Sequence, residues 1–269
     1  MDYMARALEL AMRAKRICKP NPAVGAVIVR DGQVIGEGFT QPAGQAHAEI
    51  MALRQAGDRT RGATLYVTLE PCSHHGRTAP CVDAVIASGV TSVHAAMLDP
   101  SPWVNGRGIE MLGDAGIQVV LGESGLTARQ LNAGYFTWVE RHRPLVTAVF
   151  DGPLHRAQEL ADMQHVELIG PRSLQTLVEE ADRLVVDRSE RSDLAEWSRA
   201  LESLAGQSVQ HVILDTPQET LESLTQQGLV DRIILRSLFD SHEAIESMAR
   251  QERIEWITVN GLVACSPAS

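Results

Sequence analysis

One histidine and two cysteines have the residue types and the spacing of a metal site. His47 opens the stretch "HAEIMAL", and Cys72 and Cys81 enclose a polar run in "EPCSHHGRTAPC". One imidazole and two thiolates are a ligand set of catalytic zinc, which leaves a further position for water. Zinc in such a site lowers the pKa of that water. The sequence therefore predicts one Zn²⁺ per chain, bound by these three residues.

A carboxylate follows the histidine by two positions in the same predicted helix. Because Glu49 is not one of the predicted ligands, it can take up and return protons beside the metal. A His-x-Glu sequence followed by Pro-Cys and a second cysteine is the signature of zinc nucleobase deaminases, in which two residues separate the cysteines. Here eight residues, "SHHGRTAP", separate them. This insertion adds a polar, basic loop next to the predicted metal.

Two other interpretations compete with the catalytic site. A His-x-Glu sequence arises often by chance, and each cysteine taken alone could be a small buried packing residue. The joint pattern of His-Ala-Glu, a strand and two cysteines that each follow a proline favours metal binding. A purely structural zinc site would need a fourth ligand, which His74 or His75 could supply. That alternative stays open at the level of sequence.

Composition and charge exclude several classes of protein. The net charge is −10, and it lies in the C-terminal half: residues 1–145 carry 14 Lys and Arg against 13 Asp and Glu, whereas residues 146–269 carry 10 against 21. Aromatic residues make up 4% and no basic stripe is present, which argues against nucleic-acid binding. No stretch approaches the roughly 20 apolar residues of a membrane span. The N-terminal residues do not fit a secretory signal, so we expect a cytoplasmic protein.

The pattern of apolar residues predicts two α/β domains, 1–144 and 145–269, with a boundary where charge and pattern change together. The first is predicted to contain a helix, a hairpin that turns at Asp31-Gly32, and then alternating helices and strands ending in a long helix over about 126–142. Cys72, like His47, is expected to open a helix, where backbone donors favour a thiolate.

The second domain is predicted to have strands separated by helices over about 172–181, 193–205 and 218–228. Such alternation favours mostly parallel sheets.

Several segments together resemble the bifunctional deaminase/reductase family of riboflavin biosynthesis. They are "NPAVGAVIV", "HAEIMAL", "GATLYVTLEPCSHHGRTAPC", "DPSPWVNGRG" and "AGIQV", in the family's order through residues 1–145. The resemblance implies a cytidine-deaminase-like three-layer α/β/α domain, followed by a smaller α/β domain that is similar to a truncated dihydrofolate-reductase-like fold. It also implies zinc-dependent hydrolytic deamination of the 2-amino group of a diaminopyrimidinone ribosylamine 5′-phosphate, with Glu49 as the proton shuttle.

The same resemblance implies a set of substrate-binding residues. Asn21, His74 and Arg77 match positions that contact substrate in the family, and the planar guanidinium of Arg77 suits a phosphate. Thr40 stands where the family usually has histidine. The segment "DPSP" contributes Asp99 and Ser101, the latter in place of the family's usual asparagine. Because these departures fall near the sugar-phosphate part of the substrate, we expect intact zinc chemistry with a substrate that has shifted in identity or affinity.

The C-terminal half departs further from the family. The family's reductase domain is considerably longer than this half of the chain. The chain also has no lysine after Lys19, and the family's Glu-Gly-Gly turn corresponds to "LDTPQ". Asp215, Thr216 and Pro217 fill that turn, so a side chain and a proline ring would block the close backbone approach of cofactor phosphates. The negative charge of this half also disfavours NADPH. The resemblance therefore predicts a degenerate reductase domain that does not use NADPH.

The prediction is thus a deaminase without reductase activity, acting on a small phosphorylated pyrimidine in a side branch of the pathway, such as one of toxoflavin type. We expect a homo-oligomer, dimer or tetramer, with neither nucleic-acid nor membrane partners. One alternative is a fully bifunctional deaminase/reductase that uses NADPH. A second is a nucleic-acid editing deaminase, which the acidic balance and the few aromatic residues disfavour.

Overall fold

The computed structural model of the chain describes residues 1–164, 166–169, 182–187, 194–235, 255–257 and 262–263. The chain divides into two compact units, Met1–Glu140 and Arg141–Ser269. The predicted α/β class holds for both units, because each builds its core around a sheet of its own. Within the described residues, no helix combines the length and the apolar character that crossing a membrane requires.

The described residues of the N-terminal unit form a five-stranded mixed sheet covered by helices. Its order is β2-β1-β3-β4-β5, in which β1 runs antiparallel to β2 and β3, and the strands β3, β4 and β5 are parallel. In chain order the elements are α1 (Tyr3–Ala14), β1 (Gly25–Arg30), β2 (Gln33–Phe39), α2 (Ala48–Ala56), a short 3-10 helix (Gly57–Thr60), β3 (Thr64–Val67), α3 (Cys81–Ser88), β4 (Ser92–Ala95), α4 (Arg107–Asp114), β5 (Gln118–Leu121), α5 (Gly125–Leu131) and α6 (Ala133–Arg141).

Two local predictions have different outcomes. The predicted hairpin is confirmed: β1 and β2 pair, and both turn residues have positive φ, 51° at Asp31 and 74° at Gly32, as a tight hairpin turn requires. The single helix predicted over 126–142 is wrong, because the chain forms two helices that meet at Asn132. The side chain of Asn132 makes hydrogen bonds to the backbone of Ala23, which holds this residue at the junction between α5 and α6.

The C-terminal unit is built on a mostly parallel sheet. Its order is β11-β8-β9-β6-β10-β7, and β12 pairs antiparallel with β8. The described elements are β6 (Leu145–Phe150), α7 (Leu154–Gln164), β7 (Glu167–Ile169), β8 (Arg183–Asp187), α8 (Leu194–Gly206), β9 (His211–Asp215), α9 (Gln218–Gln226), β10 (Arg232–Leu235), β11 (Glu255–Ile257) and β12 (Leu262–Val263). Helices α8 and α9 confirm two of the three predicted helices. The third, over 172–181, lies outside the described residues.

Helix α2 lies directly on β2 because glycines face it. A Cβ atom at Gly38 would stand 2.2 Å from the carbonyl oxygen of Ala48, and one at Gly36 would stand 2.3 Å from that of Ala52. Both distances are below any tolerable contact, so only glycine permits this approach. The helix meets the strand with alanines that are fully buried. The position of the N-terminus of α2 is thus set by backbone contact rather than by adjustable side chains.

We expect Gly38→Ala to destabilise the N-terminal unit by about 1–3 kcal/mol, the range for overpacking a filled interior. The matched control is Gly113→Ala in α4, where an added Cβ meets no atom within 4 Å and alanine is favoured in a helix by about 0.5–1 kcal/mol. The measurement is the urea midpoint at which peptides from β2 and α2 lose protection from hydrogen exchange. Equal midpoints for Gly38→Ala and the unaltered chain would show that the contact does not set the position of α2.

Candidate metal centre and adjoining cavity

The three predicted ligands converge in the N-terminal unit. The Nδ1 atom of His47 lies 3.6 Å from the Sγ atom of Cys72 and 3.3 Å from the Sγ atom of Cys81. All three candidate ligand atoms lie within 4.8 Å of one another. Cys72 and Cys81 follow His47 by 25 and 34 positions in the chain. Tertiary folding therefore assembles a compact group of one imidazole and two thiols.

This geometry fits a zinc ion. In a tetrahedral site with Zn–S near 2.3 Å and Zn–N near 2.0 Å, a sulfur and a nitrogen ligand are separated by about 3.5 Å, close to both observed separations. Among the residues that the structure describes, the converging group contains neither His74 nor His75, and both of these side chains are exposed. Within the part of the chain that the structure describes, the group thus has three candidate ligands, which fits a catalytic zinc site better than a structural one.

Each ligand lies at a defined point of the fold. His47 is the N-cap of α2 with extended backbone, and Cys81 is the first residue of α3 after Pro80. The prediction that Cys72 opens a helix is wrong, because this residue lies in the irregular segment between β3 and α3. The thiol of Cys72 nevertheless accepts a hydrogen bond from a helix N-terminus, since the backbone N–H of Cys81 donates to it at 3.3 Å. The first turn of α3 thus supports a negative charge on Cys72.

Buried ionisable groups surround the ligands. Glu49 is only 4% exposed. Burial, and secondly the nearby Cys72, raises the pKa of its carboxyl to about 7. The pKa of His47 is raised, chiefly by its hydrogen bond to Cys72. The contact between the two thiols lowers the pKa of Cys72 and raises that of Cys81. Glu49 is therefore a buried carboxyl beside the ligands that can hold or release a proton near neutral pH.

A cavity of about 310 Å³ adjoins this group. It brings together most of the residues predicted from the sequence, and it adds two aromatic side chains, Tyr135 and Trp138 from α6. Of the predicted residues, those that line it are Asn21, Thr40, His47, Glu49, Cys72, His74, Arg77 and Asp99. Two predicted site residues, Cys81 and Ser101, are not among the residues that line it. The cavity therefore combines the candidate metal group with polar side chains and an aromatic wall.

Ser101 contributes to the cavity through a neighbour. Its backbone N–H donates to the carboxylate of Asp99 at 2.8 Å, and both residues are buried. Burial raises the pKa of Asp99 to about 6, although this hydrogen bond by itself lowers it. Thr40 follows β2, and its hydroxyl accepts a hydrogen bond at 3.1 Å from the backbone N–H of Val24, which precedes β1. Asp99 and Thr40 are therefore fixed polar groups of the cavity wall.

Sequence reasoning missed the role of Glu70, although its position is in the quoted motif. Its carboxylate, with the residue 3% exposed, accepts hydrogen bonds from four backbone N–H groups. The donors are those of Asp99 at 3.2 Å, Gly106 at 2.8 Å, Gly108 at 2.8 Å and Ile109 at 3.3 Å. An anion at the N-terminus of α4 satisfies donors that the helix cannot pair itself. Glu70 thus anchors the loop that carries Asp99 to the segment that carries Cys72.

Sequence reasoning also missed Tyr135 and Trp138. The helical pattern around 126–142 was recognised, but a helix pattern alone does not identify what its buried face contacts. Burial, and then the charge of Asp99, raises the pKa of Tyr135, which keeps its hydroxyl protonated. One signal could have identified them. Both aromatic residues lie on one helix after the last strand of the sheet, and aromatic residues are rare in this chain.

Comparison with known proteins gives a consistent result. Residues 1–97 match the family described as the cytidine and deoxycytidylate deaminase zinc-binding region. The riboflavin biosynthesis protein RibD of Aquifex aeolicus is 51% identical over 146 residues, which are 54% of this chain and 41% of that protein. The diaminohydroxyphosphoribosylamino-pyrimidine deaminase of Buchnera aphidicola is 44% identical over 134 residues, which are 50% of this chain and 91% of that protein.

A solved structure extends the likeness beyond the first unit. RibD of Acinetobacter baumannii superposes with a TM-score of 0.66 and 31% identity, covering 87% of this chain and 84% of that one. The chain nevertheless spans less than half the length of the Aquifex relative. Its N-terminal unit has the cytidine-deaminase-like fold, and a smaller unit with a mostly parallel sheet follows. From its motifs, its fold and these relatives, the chain belongs to the RibD family of riboflavin biosynthesis.

Proposed function

We propose that the chain is a zinc-dependent aminohydrolase that removes the 2-amino group of a diaminopyrimidinone ribosylamine 5′-phosphate, or of a close relative of this compound. The observation that carries the proposal is the convergence of His47, Cys72 and Cys81 beside the buried carboxyl of Glu49. A three-ligand zinc site next to a carboxyl that is not a ligand is the arrangement of hydrolytic deaminases. The name of the Buchnera relative supports the same substrate.

His47, Cys72 and Cys81 would hold the zinc ion. When bound, zinc supplies a Lewis acid that lowers the pKa of water. Glu49 moves both protons of the water that adds to C2 of the pyrimidine. It passes the first to the ring nitrogen, and it passes the second, from the new hydroxyl, to the amino nitrogen as the C2–N bond to that group breaks. Ammonia leaves, and a carbonyl oxygen replaces the amino group. A carboxyl whose pKa is raised to about 7 suits both directions of transfer.

The cavity supplies groups for the rest of the substrate. Asp99 and Asn21 offer buried or partly buried hydrogen-bonding atoms for the heterocycle, and Tyr135 and Trp138 offer rings for stacking. His74 and Arg77 are exposed at the cavity rim, where water can reach the charged phosphate that they would bind. Thr40 lines the wall, whereas Ser101 acts only by orienting Asp99. Dimer or tetramer formation and a cytoplasmic location stay predictions.

We further propose that the C-terminal unit has lost the reductase step. Asp215 ends β9 and Thr216 follows it, both buried, and Pro217 is the N-cap of α9, so the start of this helix lacks one backbone donor. Glu219 adds a negative charge in the first turn of the helix, where a phosphate would otherwise be favoured. Repulsion and the missing donor both act against binding NADPH, which is consistent with a deaminase in a side branch of the pathway.

Glu49→Gln should lower kcat for ammonia release by about 10²–10⁴-fold, because it removes the group that transfers protons. The measurement is ammonia released from the diaminopyrimidinone ribosylamine phosphate. Zinc content should stay at one ion per chain, because Glu49 is not a ligand. The matched control is Cys72→Ser, which should lose both zinc and activity. A Glu49→Gln protein that keeps its zinc and retains near-full activity would contradict the role of Glu49.

The full chain should release ammonia without oxidising NADPH. The measurement compares NADPH absorbance with and without enzyme, using first the diamino substrate and then the deaminated product, so that a reductase dependent on prior deamination is also detected. NADPH oxidation that requires the enzyme and either compound would overturn the loss of the reductase step. It would support the fully bifunctional alternative.

A further inference from the structure

Asn132 lies at a structurally fixed junction of the N-terminal unit. It is the residue between α5 and α6, and it is 5% exposed. Its backbone N–H donates to the carbonyl oxygen of Ala128 at 3.2 Å, and its carbonyl oxygen accepts from Phe136 at 3.0 Å. The backbone of Asn132 therefore belongs to the end of one helix and to the start of the next. Its side chain is thus held in a defined direction.

The carboxamide of Asn132 pairs with one peptide unit that is 109 residues away in the chain. Its Oδ1 accepts from the backbone N–H of Ala23 at 2.8 Å, and its Nδ2 donates to the carbonyl oxygen of Ala23 at 2.9 Å. Both contacts are buried. The amide side chain thus imitates the pairing of a neighbouring strand, with one donor and one acceptor in register. Aspartate would lose the donor, and an apolar side chain would leave both groups of Ala23 unpaired.

This pair joins two segments that both line the candidate active-site cavity. Pro20, Asn21 and Pro22 line it immediately before Ala23. Tyr135 and Trp138 line it from α6, which begins immediately after Asn132. None of the three candidate zinc ligands lies in either segment. The contact between Asn132 and Ala23 therefore relates the polar and the aromatic parts of the cavity to each other, but it does not touch the metal group.

We propose that Asn132 is a positioning residue for substrate binding: its carboxamide holds the Asn21 segment in register with the aromatic wall of α6. This inference rests on the proposed deaminase function for its kinetic consequence. A substrate held between the two segments needs both at a fixed separation, because a displacement of about 1 Å is enough to impair binding and orientation. The chemical step depends on the ligands and Glu49, which lie on other elements.

The experiment uses the full zinc-loaded chain and two isosteric variants. Asn132→Asp keeps the shape of the side chain but replaces the donor to Ala23 by an acceptor. The matched control is Thr60→Val in the same unit. It deletes one part-buried hydrogen bond, from the hydroxyl of the buried Thr60 to the carbonyl oxygen of Ser88 at 2.7 Å. Thr60 is not among the residues that line the cavity. For each protein KM, kcat, zinc content and hydrogen exchange by mass spectrometry are measured.

Asn132→Asp should raise KM by about tenfold or more, the effect of about 1.4 kcal/mol of lost binding, with kcat changed less than about twofold. Zinc content should stay at one ion per chain, and exchange should accelerate in the peptides covering 19–24 and 133–141. Thr60→Val should lower stability and leave KM and those two peptides unchanged. A KM that is unaltered in Asn132→Asp, or altered equally in both variants, would overturn the positioning role.

Two further outcomes are distinguishable. If Asn132→Asp does not fold, Asn132→Ala replaces it, since alanine removes the carboxamide without burying a charge, and the same KM and exchange results are required of it. If the unaltered chain releases no ammonia, the proposed function fails. The exchange data then decide alone whether Asn132 holds the two segments together: unchanged exchange in 19–24 or in 133–141 would overturn the inference.

Discussion

The backbone contact between α2 and β2 is the constraint on which the candidate site depends. Gly36 and Gly38 leave no atoms between strand and helix, so the N-terminus of α2 stands at one height above the sheet. His47 and Glu49 lie at this N-terminus, whereas Cys72 lies in the segment after the central strand β3 and Cys81 begins α3. Three ligand atoms can converge within 4.8 Å only if each supporting element is rigid. Contact between backbones is more rigid than contact through flexible side chains.

Two buried carboxylates near the cysteines have opposite surroundings and therefore different uses. Glu70 accepts four backbone hydrogen bonds, which join the Asp99 loop to the segment that follows β3. Burial instead raises the pKa of Glu49, because His47 and the hydrogen bonds with its own backbone and with Cys81 offset the burial only in part. Glu70 stabilises the fold, whereas Glu49 suits the proton transfer that we propose for it. Their environments, rather than their residue type, separate these roles.

The two units contrast in what their turns permit. In the N-terminal unit, several glycines face backbone closely. One is Gly108, where an added Cβ would stand 2.2 Å from the carbonyl oxygen of Pro71. In the C-terminal unit, Thr216 and Pro217 follow β9 at the positions that the sequence resemblance assigns to two glycines of the family. Glycine permits close approach by a ligand or a second backbone, and proline removes a donor. The chemistry that we propose therefore belongs to the first unit alone.

Sequence alone predicted which residues would form the candidate metal group, and the fold brings His47, Cys72 and Cys81 together. It could do so because these residue types and their spacing are used by few other functions. It also identified the hairpin at Asp31-Gly32, because that turn depends on local backbone preferences. The partners of these residues depended on tertiary structure. Helical periodicity marked the region of Tyr135 and Trp138, but which cavity a helix face lines depends on packing against distant elements. The end of α5 at Asn132 and the loop contacts of Glu70 likewise depend on hydrogen bonds to distant residues. Asn132 bonds to a residue 109 positions away and Glu70 to one 29 positions away, and a local sequence pattern does not predict such bonds.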